Sequence, residues 1–207
     1  MRVKIPSLLL ITDSRRYADE HLFAVLEEAL SNGLDAVLLR EKELSSAKLL
    51  ALASKLREIT AHFGAQLYIH SQADIAAAVN ADGVHLASGD ITNIQAVRGW
   101  LNDAGKTVSV SCHNRQELEL AGRCGADFVF LSPVFATASH PGAPTIDLKG
   151  FRSLAARTKL PVMALGGINC DNCKHLEGSR LAVIDGILAA EDAGMAARVL
   201  SAAVPKP

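Results

Sequence analysis

Aromatic side chains are scarce, with one Trp, two Tyr and six Phe in 207 residues. A core must therefore be assembled from Leu, Val, Ile and Ala, the composition of parallel sheets covered by helices on both faces. An excess of charge of either sign is also missing: 21 Lys and Arg stand against 22 Asp and Glu. Nucleic-acid binders carry a basic surplus, so no nucleic-acid partner is expected. No apolar run reaches the roughly 18 residues of a membrane span, so no membrane partner is expected either. Met1 to Ser7 lacks the apolar core of a secretion signal, and the expected location is cytoplasmic. Four cysteines are too few for a disulfide scaffold at this length, and in that compartment they stay reduced. Cys170-Asp-Asn-Cys173 has the spacing of a redox pair or half a zinc site. A second pair at similar spacing is lacking, because Cys112 and Cys124 lie twelve apart, so the reading adopted is thiols at a helix start. No linker rich in Pro, Ser or Gly divides the chain, and residues 1–207 read as one domain.

What is present is a short apolar run, a polar turn and an amphipathic stretch, repeated. Strands are expected at Leu8–Thr12, Ala36–Arg40, Gln66–His70, Gly83–Leu86, Thr107–Ser111, Phe128–Ser132, Val162–Leu165 and Leu181–Ile184. Helices are expected at Glu20–Ser31, Ser45–Phe63, Ala73–Val79, Asn93–Asn102, Arg115–Arg123, Leu148–Arg157, Asn172–Glu177 and Gly194–Ala203. In Ser45–Phe63 the residues Leu49, Leu52, Ala53, Leu56 and Ile59 fall on one face, the 3.6-residue signature. Alternating strands and helices imply right-handed crossovers and a parallel sheet. Eight units in 207 residues leave about 26 residues each, at the compact end of the (β/α)8 TIM-barrel range. A doubly wound sheet of six strands would require two of these strands to be wrong.

Active sites of such barrels form where strands end and loops begin, which singles out the polar residues just after each strand. Arg40-Glu41-Lys42 after the second strand places two cations around an acid; Arg offers a planar fork and Lys a point charge to a diphosphate. Gly166 and Gly167 after the seventh strand let a phosphate approach backbone N–H groups with no Cβ in the way. Asp185 and Gly186 follow the eighth strand, and a carboxylate there repels a phosphate unless it points away. Asp90 follows the fourth strand, as a helix cap or as one magnesium ligand. His70 and Ser71, Ser111 and His113, and Thr137 to His140 complete the rim, with His113 an acid–base candidate. Asp82 and His85 read as structural.

These residues, in this order, resemble the thiamine phosphate synthase family and its TenI-type thiazole tautomerase relatives. The likeness runs from Leu8 to about Ala197. It is carried by Leu8-Leu9-Leu10-Ile11-Thr12-Asp13, Leu39-Arg40-Glu41-Lys42, Ala81-Asp82-Gly83-Val84-His85-Leu86 and Gly125-Ala126-Asp127-Phe128, then by Ser132-Pro133-Val134-Phe135-Ala136-Thr137 and Pro161 to Ile168. The stretch from Ser111 to Pro144 looks closest to synthase-like domains fused behind a Nudix hydrolase. The resemblance implies a barrel enzyme, a transferase of thiamine biosynthesis. It would join hydroxymethylpyrimidine diphosphate to thiazole phosphate with Mg2+ and release diphosphate. It implies that Arg40 and Lys42 hold the diphosphate, that Asp90 ligates magnesium and that Ser111 lies by the pyrimidine. Thr137 and Ser139 match the thiazole-phosphate loop, and Gly167 the backbone site for that phosphate.

The chain departs from the family pattern at several of these places. His70-Ser71 stands where the family has Asn-Asp, His140 where it has a diphosphate-binding lysine, Leu39 where it has Gln, and Asp185 where it has Ser. An imidazole with a pKa near 6.5 is mostly neutral at pH 7 and replaces a lysine only in part. The tautomerase alternative maps its catalytic histidine to Pro133, which carries no proton to transfer. A non-catalytic barrel that binds a thiamine precursor or phosphate is the third reading, and a homodimer stands open beside the monomer.

Overall fold

The computed structural model describes residues 4–137, 142 and 144–205. Eight parallel strands close into a barrel in sequence order: β1 (Leu8–Ile11), β2 (Ala36–Leu39), β3 (Gln66–His70), β4 (Gly83–Leu86), β5 (Thr107–Cys112), β6 (Phe128–Leu131), β7 (Val162–Leu165) and β8 (Arg180–Val183), with β8 paired back to β1. The helices are α1 (Asp19–Ser31), α2 (Ser46–His62), α3 (Ala73–Ala78), α4 (Ile94–Leu101), α5 (Arg115–Cys124), α6 (Asp147–Ala155), α7 (Asp185–Leu188) and α8 (Ala193–Ala203). The eight-unit expectation holds. No helix among the described residues is long and apolar enough to cross a membrane.

Two local expectations change. The stretch expected as a helix at Asn172–Glu177 is a single 3-10 turn, Cys173–Leu176. The Asn169 and Asn172 side chains bond backbone N–H groups in the preceding loop, and Gly178 at φ +80° turns the chain straight into β8. Asp185–Leu188 is a separate short helix, α7, rather than a loop leading to α8. Its continuity with the apolar end of β8 hides it from a periodicity reading.

Strand alternation sorts the side chains into two layers. Val37, Leu39, Val84, Val108, Val110, Cys112, Val129 and Leu131 pack outward against the helices. Leu9, Ile11, Ala36, Leu38, Tyr68, Phe128, Phe130, Met163 and Ala182 fill the lumen. The Tyr68 and Phe128 rings meet edge-on, with centroids 5.7 Å apart.

The floor of the barrel is sealed by charged side chains. Asp35 accepts from the N–H groups of Ser7 and Leu8 at 3.0 Å, Asp82 from Leu67 N at 2.8 Å, and Asp127 from Val108 N at 2.7 Å. Each acid therefore satisfies the strand ahead of its own. Arg57 braces Asp82 at 2.8 Å and Arg98 braces Asp127 at 2.7 Å. In each case the acid follows a residue of positive φ by two positions, Gly33 (+105°), Asn80 (+50°) and Gly125 (+84°). After Gly178 the fourth member is Arg180, which donates to the Ile5 and Pro6 carbonyls at 2.8 Å. This repeat of positive-φ residue, spacer and charge is present in the sequence and escaped the reading above. Asp82 is structural, as expected.

Asp127→Ala leaves the Val108 N–H and the Arg98 guanidinium short of a partner, and is expected to cost about 2–3 kcal/mol. Urea denaturation checks this against Glu119→Ala, which breaks an exposed pair with Arg115 and should leave the midpoint unchanged.

Candidate functional site

The strand ends open into a cavity of about 680 Å³, lined by Arg40, Lys42, His70, His85, Ser111 and His113 among others. A smaller cavity of about 240 Å³ adjoins it, lined by Gly167, Ile168, Asn169, Asp185 and Gly186. Thr137, Leu165, Gly166 and Ile184 line both.

At the end of β2, Thr12 Oγ1 accepts the Arg40 N–H at 3.0 Å and fixes where the strand turns out. Glu41 also lines this cavity, but its carboxylate is engaged by Ser14: it accepts the Ser14 N–H at 3.0 Å and the Ser14 hydroxyl at 2.6 Å, and the residue is buried. Arg40 and Lys42 make no ion pair among the described residues and face the cavity. Two cations without a carboxylate partner are what an anionic guest requires. Leu39 is not part of this surface. It packs in the outer layer and Leu38 reaches the cavity instead, because one position along a strand exchanges faces.

The floor on the β3–β5 side is a chain of polar groups. His85 is buried, with Nδ1 2.9 Å from Ser109 Oγ and Nε2 2.9 Å from Ser111 Oγ, and its ring packs 4.1 Å from that of Phe130. Burial holds it well below the usual histidine range, so it is neutral. His70 Nδ1 lies 3.1 Å from the His85 carbonyl and 2.8 Å from Ser71 Oγ. Its pKa is lowered to about 4, chiefly by burial and next by the charge of Arg40. His85 thus belongs to the floor of the site as well as to the core. The signal for it was the register, which sets His85 between His70 and Ser109 on neighbouring strands.

His113 is pinned through Nδ1 to the Ser132 carbonyl at 2.8 Å, which places the ring proton on Nδ1. Asp90 sits in the 3-10 turn Ser88–Asn93 after β4 and accepts from Asn93 Nδ2 at 3.3 Å. Ala87 and Ser88 line the cavity wall, and Asp90 follows them in the turn, where its charge acts on His70. Ser139 and His140 lie outside the described residues.

In the smaller cavity, Gly167 has φ +64°, and a Cβ there would run into the Ala136 carbonyl. At Gly166 (φ +107°) a Cβ would lie 2.7 Å from Pro133. Both positions require glycine, because the loop after β6 crosses directly over them: Phe135 N bonds to the Gly166 carbonyl at 3.0 Å. Asn172 Nδ2 holds the Gly167 carbonyl at 2.8 Å.

The family model for thiamine monophosphate synthase matches residues 8–189. The chain belongs to that family. A Geobacter sulfurreducens relative is 41% identical across 96% of this chain and 94% of its own length. The thiamine-phosphate synthase of Clostridioides difficile is 35% identical across 91% and 90%. The solved thiamine phosphate pyrophosphorylase of Pyrococcus furiosus superimposes with a TM-score of 0.82 at 31% identity, covering 94% of this chain and 93% of that one.

The depressed His70 pKa has a thermodynamic consequence. Above pH 6.5 the ring is neutral folded and unfolded; as the pH falls toward 4 only the unfolded chain takes the proton, so stability falls across that window and levels off below it. His70 is expected to account for roughly 2–3 kcal/mol of the loss. His70→Asn should flatten the dependence of the urea midpoint on pH between about 4 and 6.5. An unchanged slope would refute the assignment.

Proposed function

We propose that the protein joins hydroxymethylpyrimidine diphosphate to thiazole phosphate, releasing diphosphate. The observation that carries this reading is the pair of adjoining cavities, one under two cations with no ion pair among the described residues and the other built on glycine backbone. The reaction breaks a carbon–oxygen bond, so negative charge collects on the departing diphosphate and positive charge on the pyrimidine methylene. Arg40 and Lys42 meet the negative charge and gain strength as it develops. Beneath them the floor is uncharged: His70 and His85 are neutral, and Ser111 offers a hydroxyl oriented by His85. A protonated imidazole there would oppose the growing cation, and burial prevents it. The thiazole enters from the smaller cavity, its phosphate against the Gly166–Gly167 loop, with Thr137 between the two chambers. No protein nucleophile is needed.

Magnesium fits this donor set as an ion shared with the substrate rather than caged by protein. Among the described residues no group of three or more His, Cys, Asp or Glu could enclose a metal. Asp90 offers one carboxylate, and Ser71 offers a hydroxyl in place of a second. Mg2+ tolerates that, because it takes its remaining ligands from phosphate oxygens and water. When bound, the ion adds charge neutralisation to the leaving diphosphate.

Diphosphate release is expected only with both substrates and Mg2+ present. A flat trace at high enzyme concentration overturns the reading, and binding of both substrates without product leaves a precursor-binding barrel. Arg40→Ala should lower kcat/KM by roughly 10- to 100-fold, the worth of a charge-assisted contact. Ser71 has φ +61°, a conformation Asp tolerates, so Ser71→Asp should reduce the magnesium concentration needed for half-maximal rate. No reduction would mean that Ser71 does not face the ion.

A further inference from the structure

Asp185 poses a problem for the smaller cavity, because a carboxylate on the wall of a phosphate pocket opposes the ligand. The structure resolves it with residues 168 and 169 positions away in sequence. Arg16, on the loop between β1 and α1, grips Asp185 with both prongs of its guanidinium, Nη2 to Oδ1 at 2.8 Å and Nη1 to Oδ2 at 3.1 Å. The Tyr17 hydroxyl donates to Oδ1 at 3.2 Å. Arg16 is itself anchored, its Nε donating to Asp13 Oδ2 at 2.7 Å, and Arg15 stands 3.9 Å from the other Asp13 oxygen. Two arginines thus balance two carboxylates. The guanidinium also lies over the Tyr17 ring, 5.5 Å from its centroid, and that ring stacks on His21. His21 Nε2 bonds the Leu188 carbonyl at 3.1 Å, so the same segment grips α7 at both ends. Asp13 lines the larger cavity and Asp185 the smaller, which sets Arg16 across the partition between them.

We propose that Arg16, supported by Tyr17, is a positioning residue that neutralises the Asp185 charge on the wall of the smaller cavity and so permits a phosphorylated thiazole to bind there. The proposal rests on the reading that this cavity takes the phosphate, and it makes Arg16 a determinant of specificity for the phosphorylated over the unphosphorylated thiazole. A neutralised carboxylate is tolerated beside a dianion; a released one is not. The role of Arg16 therefore exists only because Asp185 is an acid, and removing the acid should make Arg16 dispensable.

Calorimetric titration of the full chain with hydroxyethylthiazole phosphate and with hydroxyethylthiazole alcohol tests this without any need for turnover. Arg16→Ala is expected to weaken the phosphate ester at least about tenfold while changing the alcohol less than about twofold. The double variant Arg16→Ala with Asp185→Ser should return the ester to within about threefold of the wild type. Arg16→Lys, which keeps a cation but loses the fork, should fall between. A purely structural Arg16 would weaken both ligands together and would not be rescued by Asp185→Ser. Unchanged ester affinity in Arg16→Ala, equal loss for both ligands, failure of rescue, or no binding of the ester by the wild type each overturns the proposal. Should Arg16→Ala not fold, the ratio of ester to alcohol affinity in Arg16→Lys, with and without Asp185→Ser, carries the same test. Absence of diphosphate release alongside the expected binding pattern would defeat the catalytic reading alone.

Discussion

A closed parallel barrel places backbone groups at both rims that the strand ladders do not satisfy, and everything at the mouth depends on how the opposite rim is settled. Asp35, Asp82 and Asp127 settle it, each accepting the N–H of the strand before its own. Buried N–H groups are costly to leave unpaired, and charged acceptors make the stronger bonds. Alternate strands are thereby fixed in height relative to their neighbours. With the floor locked in this way, the other rim is free to carry residues chosen for chemistry, including Arg40 and Lys42, which make no ion pair among the described residues.

The mouth separates charge by height. Permanent cations stand at the rim, where water can reach them until a guest arrives, and the His70 and His85 imidazoles lie deeper, where burial strips their protons. One gradient of solvation therefore produces a positive lip and a neutral base from the chain's own side chains. This division suits a reaction in which a bond separates into an anion and a cation, because each fragment meets the surroundings that its charge favours. The same burial gives His70 two roles, as part of the neutral base and as a point at which acid weakens the fold.

Much of this was legible in the residues. Eight alternating units, the cations after β2 and the glycine pair after β7 follow from periodicity and strand ends, and the structure finds them around one pair of cavities. Single-residue matters were less legible. Leu39 and Leu38 are both apolar, so nothing in composition tells which one faces the lumen; only the phase of the strand does. Asp185 raised a conflict that no local pattern could settle, because its partners Arg16 and Tyr17 are distant in sequence and near only after the barrel closes. His85 looked structural because an apolar strand surrounds it, yet its register beside Ser109 and Ser111 brings it to the base of the site. The floor repeat after Gly33, Asn80, Gly125 and Gly178 lay in plain view, and periods of 3.6 and 2 residues do not detect it.

The junction of β8 with β1 is stitched at both ends, by Arg180 to the Ile5 and Pro6 carbonyls below and by Arg16 to Asp185 above. Every one of these bonds joins residues at least 169 positions apart, and loops of that length are costly for a chain to close. Until the eighth unit docks, the folded units therefore form an open, curling sheet whose first strand has one unpaired edge. An edge of that kind invites pairing with other chains, so the hazard for this protein is concentrated in the interval before β8 pairs with β1.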